Sequence, residues 1–171
     1  NRQFSATGGA PASDQGDRGD RGDRLVGTLV HRLLQHMTDP GLVDTELALR
    51  AGRLLAAGEV IEGETEDLLL QAVRLFRQMA EQPGVAEVLG SGECLYEVPF
   101  SAVLDDFGGT VLRGVVDCVV VPAEGPLEVL EFKTGRPRPE HQVQADVYAR
   151  AIGAAFGRPA QSRLFYAQES Q

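Results

Sequence analysis

The chain has 171 residues, of which 43% are apolar, and carries a formal net charge of −9. That length suits one domain with a real core, and no apolar run is long enough for a secretory or membrane-spanning segment. Two cysteines, Cys94 and Cys118, exclude a disulfide framework and read as buried reduced thiols, while the acidic balance weighs against a domain that grips nucleic acid unaided.

Residues 1–23 are rich in Gly, Ser, Ala, Asp and Arg, with an Asp-Arg-Gly repeat from Asp17 to Arg24. Their composition predicts a disordered linker, and each Arg beside an Asp argues against a nucleic-acid arm. The opening Asn1 suggests excision from a longer chain. Residues 24–171 are expected to be the folded domain. A first helix is predicted from about Asp23 to Met37, its apolar face formed by Leu25, Val26, Leu29, Val30, Leu33, Leu34 and Met37. A second is expected over Thr45–Ala57, capped by Asp44 or Thr45 and stopped by Gly58. A third follows Thr65 and ends at Pro83-Gly84, with a short helical piece over Val85–Leu89.

The pattern then changes to β. Cys94–Val103, Thr110–Val121 and Leu127–Thr134 read as three strands in a meander, turned at Asp105–Gly109 and at Val121–Pro126. A helix over Pro139–Phe156 and a last strand over Gln161–Ala167 complete the chain. This order predicts an α/β sandwich: a central mixed sheet, an N-terminal helical part on one face and the later helix on the other. The hairpin brings Asp117 near Glu131. Side chains alternate across a strand, so Glu131 and Lys133 share a face while Phe132 points into the core. Gln144 and Tyr148, four apart, share a helix face. An ordinary ion pair of Asp117 or Glu131 with Lys133 or Arg113 is the alternative to a chemical role. Charge is unevenly spread. Residues 39–131 hold 18 acidic and 5 basic side chains, whereas residues 132–163 hold 6 basic and 2 acidic.

Five blocks in this order resemble the PD-(D/E)xK nucleases, and within them the RecB-like and AddA-like domains at the C-termini of bacterial UvrD-type helicase–nucleases. The blocks are Gly27-Thr28-Leu29-Val30-His31-Arg32-Leu33-Leu34, Tyr96-Glu97-Val98-Pro99-Phe100, Gly114-Val115-Val116-Asp117, Glu131-Phe132-Lys133-Thr134-Gly135 and Gln144-Ala145-Asp146-Val147-Tyr148. The likeness spans about residues 25–167. Val116 stands where the motif's name has Pro, and Cys118 where a basic residue is more usual.

The resemblance implies a restriction-endonuclease-like fold and a Mg²⁺- or Mn²⁺-dependent deoxyribonuclease of the exonuclease type, acting in double-strand-break repair and recombination. It implies that His31, Asp117, Glu131 and the Phe132 backbone carbonyl hold the metal. Lys133 would orient water or stabilise charge, with Gln144 and Tyr148 bracing it or binding phosphate. Glu97 and Thr28 are further candidates near the metal, and Arg136 and Arg138 for DNA contact. His36 and His141 have no motif support and are expected on the surface. Two cysteines cannot supply the four ligands of the iron–sulfur cluster some relatives carry, so no such cluster is expected. The implied partners are DNA, expected single-stranded, a helicase domain in the same polypeptide and a second helicase–nuclease subunit, with no membrane; the implied location is the bacterial cytoplasm, at the nucleoid. The competing readings are a catalytically inactive nuclease-fold module for DNA guiding or protein interaction, and a free-standing RecB-like exonuclease.

Overall fold

The computed structural model describes residues 14–59, 63–103 and 111–168, with side chains described from Arg21 onward. Nine elements follow in chain order: α1 (Asp14–Gln35), α2 (Asp44–Arg53), α3 (Thr65–Ala80), α4 (Pro83–Leu89), β1 (Gly92–Val103), β2 (Val111–Pro122), β3 (Leu127–Thr134), α5 (Pro139–Phe156) and β4 (Ala160–Ala167). Strand order in the sheet is β1-β2-β3-β4. β1, β2 and β3 pair antiparallel as a meander, and β4 pairs parallel to β3. A parallel neighbour needs a crossover, and α5 supplies it.

The sheet buries both faces. On one, α1 to α4 close a core around Leu29, Leu33, Phe76, Met79, Leu130 and Phe132. On the other, α5 covers Val116, Val119, Leu127 and Val129 with Ala149 and Ile152. β3 has helices on both sides, so its residues from Leu127 to Phe132 are all buried, as expected of a central strand. This is the mixed, helix-flanked sheet anticipated from the sequence. No helix among the described residues is long and apolar enough to cross a membrane.

Local boundaries differ from the sequence reading in instructive ways. α1 begins at Asp14, nine residues before the expected start, so residues 14–23 of the anticipated linker are helical; residues 1–13 lie outside the described residues. It ends at Gln35, and Met37, with φ of 47°, turns its side chain to solvent instead of joining the apolar face. α2 stops at Arg53, and its N-cap is Val43 without a side-chain bond; Gly58, with φ of 85°, serves the following turn. Pro83 does not merely end α3 but opens α4 at its first turn, where its missing N–H costs nothing. α5 spans the predicted residues. The Asp105–Gly109 turn lies outside the described residues.

Candidate metal centre

The site forms where β2 and β3 part. Their ladder runs only from Val120↔Glu128 to Cys118↔Leu130. Beyond it, side chains take over the backbone groups that the ladder leaves open. The Phe132 N–H donates to Asp117 Oδ2 at 2.7 Å, and the Asp117 N–H donates to Glu131 Oε1 at 3.4 Å. The two acids are therefore built into the gap as substitutes for strand pairing. A buried amide without a partner is costly, so this bonding also holds the carboxylates in place.

The strict alternation of β1 and β2 also breaks here. Cys118 and Val120 face the α1–α4 core, while Val116 and Val119 face α5. Across the pair, Tyr96 packs on the first core and Val98 and Phe100 on the second. The change of face falls at Asp117 and at Glu97, which lies between the ladder pairs Tyr96↔Cys118 and Val98↔Val116. Glu97 has a φ of 50°, a left-handed conformation rare for a residue with a side chain. Strain of this kind costs about 1–3 kcal/mol and persists where surrounding structure over-determines it. The result is that both acids turn toward α1.

α1 brings His31 to meet them. Gly27, one turn earlier, is the point of close approach: a Cβ there would lie 3.0 Å from Thr134 Oγ1 at the end of β3. The helix can thus lie near the strand, and His31 Nε2 donates to the Phe132 carbonyl at 2.8 Å. Its Nδ1 lies 3.4 Å from Asp117 Oδ1. Ligand atoms of His31, Glu97 and Asp117 all lie within 4.8 Å of one another. They open onto a cavity of about 450 Å³ that Thr28, Arg32, Gln35 and Val115 also line. Burial disfavours the charged imidazolium, but the Asp117 carboxylate, the Phe132 carbonyl and Glu97 outweigh it and hold His31 above its ordinary value. His31 thus lies between a carboxylate and a carbonyl, a position that suits a cation. Two carboxylates, an imidazole and a backbone carbonyl make a donor set that fits a divalent metal ion.

Glu131 lies on the other side of the gap. It is 2% exposed, and its Oε2 accepts from Lys133 Nζ at 2.8 Å. It joins Asp117 through the backbone bond above but is not part of the cluster of His31, Glu97 and Asp117. Burial, together with Asp117, raises the Glu131 pKa despite Lys133. Burial works against the Lys133 ammonium, but Glu131 and Asp117 overcome it and favour the charged form. Lys133 Nζ also donates to Gln144 Oε1 at 3.3 Å, and Gln144 Nε2 donates to the Tyr148 hydroxyl at 2.8 Å. Tyr148 is edge-on to Phe100, with ring centroids 4.9 Å apart. Gly114 makes room, since a Cβ there would meet Phe100 at 2.7 Å and the Tyr148 oxygen at 3.0 Å. A hydrogen-bonded line thus runs from Glu131 through Lys133 and Gln144 to Tyr148.

Other expected residues fall at the margins. Thr28 lines the cavity, but its hydroxyl donates to the Arg24 carbonyl. Arg136 and Arg138 are exposed; Arg136 borders a separate cleft of about 690 Å³ beyond the end of β3. Arg32, in the same block as His31, is structural. It clamps Glu59 with two bonds, at 2.6 and 3.0 Å, and donates to the Leu54 carbonyl. Arg113 is exposed, and the ion pair of Glu131 is with Lys133. Cys118 is fully buried and Cys94 half-buried, both free, and burial pushes the Cys118 thiol up, so it stays neutral. His141, expected on the surface, is half-buried and stacks on Tyr166, with Nδ1 3.1 Å from its hydroxyl. No sequence pattern marks that pair, because it depends on how α5 lies across β4.

Comparison with known proteins bears on the fold and the family. A crystal structure of a candidate exonuclease from Eubacterium rectale superposes with a TM-score of 0.53 over 88% of this chain and 55% of that one, at 11% identity, which is a likeness of fold. An ATP-dependent helicase/nuclease subunit from Pelotomaculum thermopropionicum is 28% identical over 122 residues, 67% of this chain. The chain spans 8% of that relative's length. The model of the PD-(D/E)XK nuclease superfamily matches residues 3–171, nearly the full length, and the chain belongs to that superfamily.

Proposed function

We propose that the protein is a Mg²⁺- or Mn²⁺-dependent deoxyribonuclease that hydrolyses single-stranded DNA as the nuclease part of a helicase–nuclease in double-strand-break repair. The observation that carries this reading is the convergence of His31, Glu97 and Asp117 within 4.8 Å, beside the Phe132 carbonyl. Superfamily members generally depend on divalent metals, and the likeness to a helicase/nuclease subunit supports the helicase setting and bacterial cytoplasm.

In this reading Asp117, His31, Glu97 and the Phe132 carbonyl would hold the ion. A bound divalent cation supplies activation of water and neutralisation of the phosphoryl oxygens. His31 would hold the ion as a neutral imidazole. Glu131 anchors Lys133 and would be a further carboxylate for the ion. Lys133 orients the attacking water and offsets charge gathering on the phosphate. Gln144 and Tyr148 set the position of Lys133 and offer hydrogen bonds to the scissile strand. Arg136 and Arg138 contribute to DNA contact. Water adds to phosphorus, one P–O ester bond breaks, and the leaving oxygen takes up a proton.

The test is degradation of single-stranded DNA by the chain and by Asp117→Asn, with Mg²⁺ and with Mn²⁺. Metal-dependent cutting lost in the variant is the expected result. DNA binding without cutting under either metal would favour the inactive guiding module instead.

A further inference from the structure

We infer that His141 and Tyr166 form a contact for the phosphate next to the scissile one, beside Lys133 on the α5 side of the sheet. The inference rests on the nuclease reading above and adds two residues that lie outside the five sequence blocks.

Lys133 and Tyr166 are partners across the parallel ladder of β3 and β4. Leu127 and Val129 of β3 and Ala160 of β4 pack under α5, so Lys133 and Tyr166, at even steps from them, point to that side. On α5, His141, Gln144 and Tyr148 follow one another at steps of three and four and share a helix face. Gln144 and Tyr148 already form the line to Lys133. His141 lies roughly 4.5 Å before Gln144 along the helix axis. It stacks on Tyr166 with ring centroids 5.7 Å apart, and its Nδ1 is 3.1 Å from the phenol oxygen. Both residues are half-buried. The pair thus stands level with Lys133, on the flank away from β2 and Asp117.

A neutral imidazole carries one N–H and a phenol one O–H. One of these protons lies between Nδ1 and the phenol oxygen. The other is left to donate outward, from Nε2 if the phenol gives its proton to Nδ1, or from the phenol if Nδ1 gives its own. Either tautomer therefore presents a donor beside the Lys133 ammonium. The fold does not depend on the pair. β4 is held by its ladder with β3 and by Gln82 Nε2, which donates to the Tyr166 carbonyl at 2.9 Å, while α5 is anchored by the buried Ala145, Ala149 and Ile152. The surroundings favour an anion. From Lys133 to His141 the chain carries Lys133, Arg136 and Arg138 against Glu140 alone. Asp146, the next acid on α5, accepts from Gln142 and Ser162. A phosphodiester offers only acceptor oxygens and a negative charge, and both suit this place. With the scissile phosphate at Lys133, a donor one short step along the same helix face meets the phosphate that follows it in the strand.

The experiment compares the parent chain with His141→Phe/Tyr166→Phe, which keeps two stacked rings and removes both donors. Steady-state cleavage of an oligothymidylate in Mn²⁺ should show KM raised roughly tenfold, as loss of one hydrogen bond to a charged group does, with kcat and thermal unfolding unchanged. His141→Phe and Tyr166→Phe alone each leave one donor, so their losses should multiply to less than that of the double variant. In a Lys133→Ala background, where the strand survives, the double change should weaken binding of an abasic oligonucleotide by the same factor, because that strand has phosphates and no bases. An unchanged KM, a loss confined to kcat, a loss that follows a lowered unfolding temperature, single losses that account for the whole, or a loss absent on the abasic strand would each overturn the phosphate contact, while parental cleavage leaves the nuclease reading standing. A parent chain that neither binds nor cuts the strand would overturn both.

Discussion

Replacing Lys133 with Ala tests the chemical role proposed for its ammonium apart from the place that ammonium holds in the fold. Its Nζ sits 2.8 Å from Glu131 Oε2, and Glu131 is 2% exposed beside a second carboxylate, Asp117. Loss of a preorganised charge at a developing anion lowers turnover by about 10²–10³-fold. Breaking a fully buried pair costs about 3–5 kcal/mol, but Lys133 is partly exposed and Glu131 can protonate, so about 1–3 kcal/mol is expected. The pH sign follows from Glu131. Burial and Asp117 already raise its pKa, and loss of Lys133 raises it further. A carboxyl raised in the fold contributes stability below its unfolded value, roughly 4.3, and loses it as pH climbs through the folded value. The variant's deficit should therefore be small in acid and full near neutrality. Adding Glu131→Gln should recover much of the stability and none of the turnover. Thermal unfolding across pH and single-strand degradation with Mg²⁺ and Mn²⁺ read the two effects. Turnover within tenfold of wild type at saturating metal and DNA would refute the role of Lys133.

The remaining predictions concern the metal and the packing behind it. His31→Ala and Asp117→Asn should each weaken Mn²⁺ binding by at least about 10–100-fold, read by calorimetry, since removing a ligand should cost no less than removing an outer-shell partner. Metal binding to the wild-type chain should release a proton from His31, whose pKa is raised above 6.5, so affinity should fall as pH drops through that raised value. Calorimetry in buffers of different ionisation enthalpy measures that release, and it should disappear in His31→Ala. Gly114→Ala should cost about 1–3 kcal/mol by chemical denaturation, because its Cβ would meet Phe100 at 2.7 Å. It should also lower turnover by displacing Tyr148, with Mn²⁺ affinity little changed.

Much of this molecule was legible from local pattern. Runs of β-branched residues between turn residues mark β2 and β3, and the two-residue period puts Glu131 and Lys133 on one face, where they pair at 2.8 Å. The four-residue spacing of Gln144 and Tyr148 on α5 likewise puts them on one face, where the structure joins them by a hydrogen bond. Such relations depend on backbone geometry within one element. What the tertiary structure decided is where local rules yield to contacts between elements. Alternation along β1 and β2 does not foresee the change of face at Glu97 and Asp117, which comes with a φ of 50° held by surrounding packing. Nor does it foresee that Glu97, rather than Glu131, converges with His31 and Asp117. The Asp-Arg-Gly stretch reads as linker because Gly and Asp are poor helix formers, yet it is helical from Asp14. There α1 is continuous with the segment from Leu25 to Leu34 that the core buries. Once the apolar segment has nucleated a helix, extending it costs far less than starting one, and weak local preference gives way to tertiary burial.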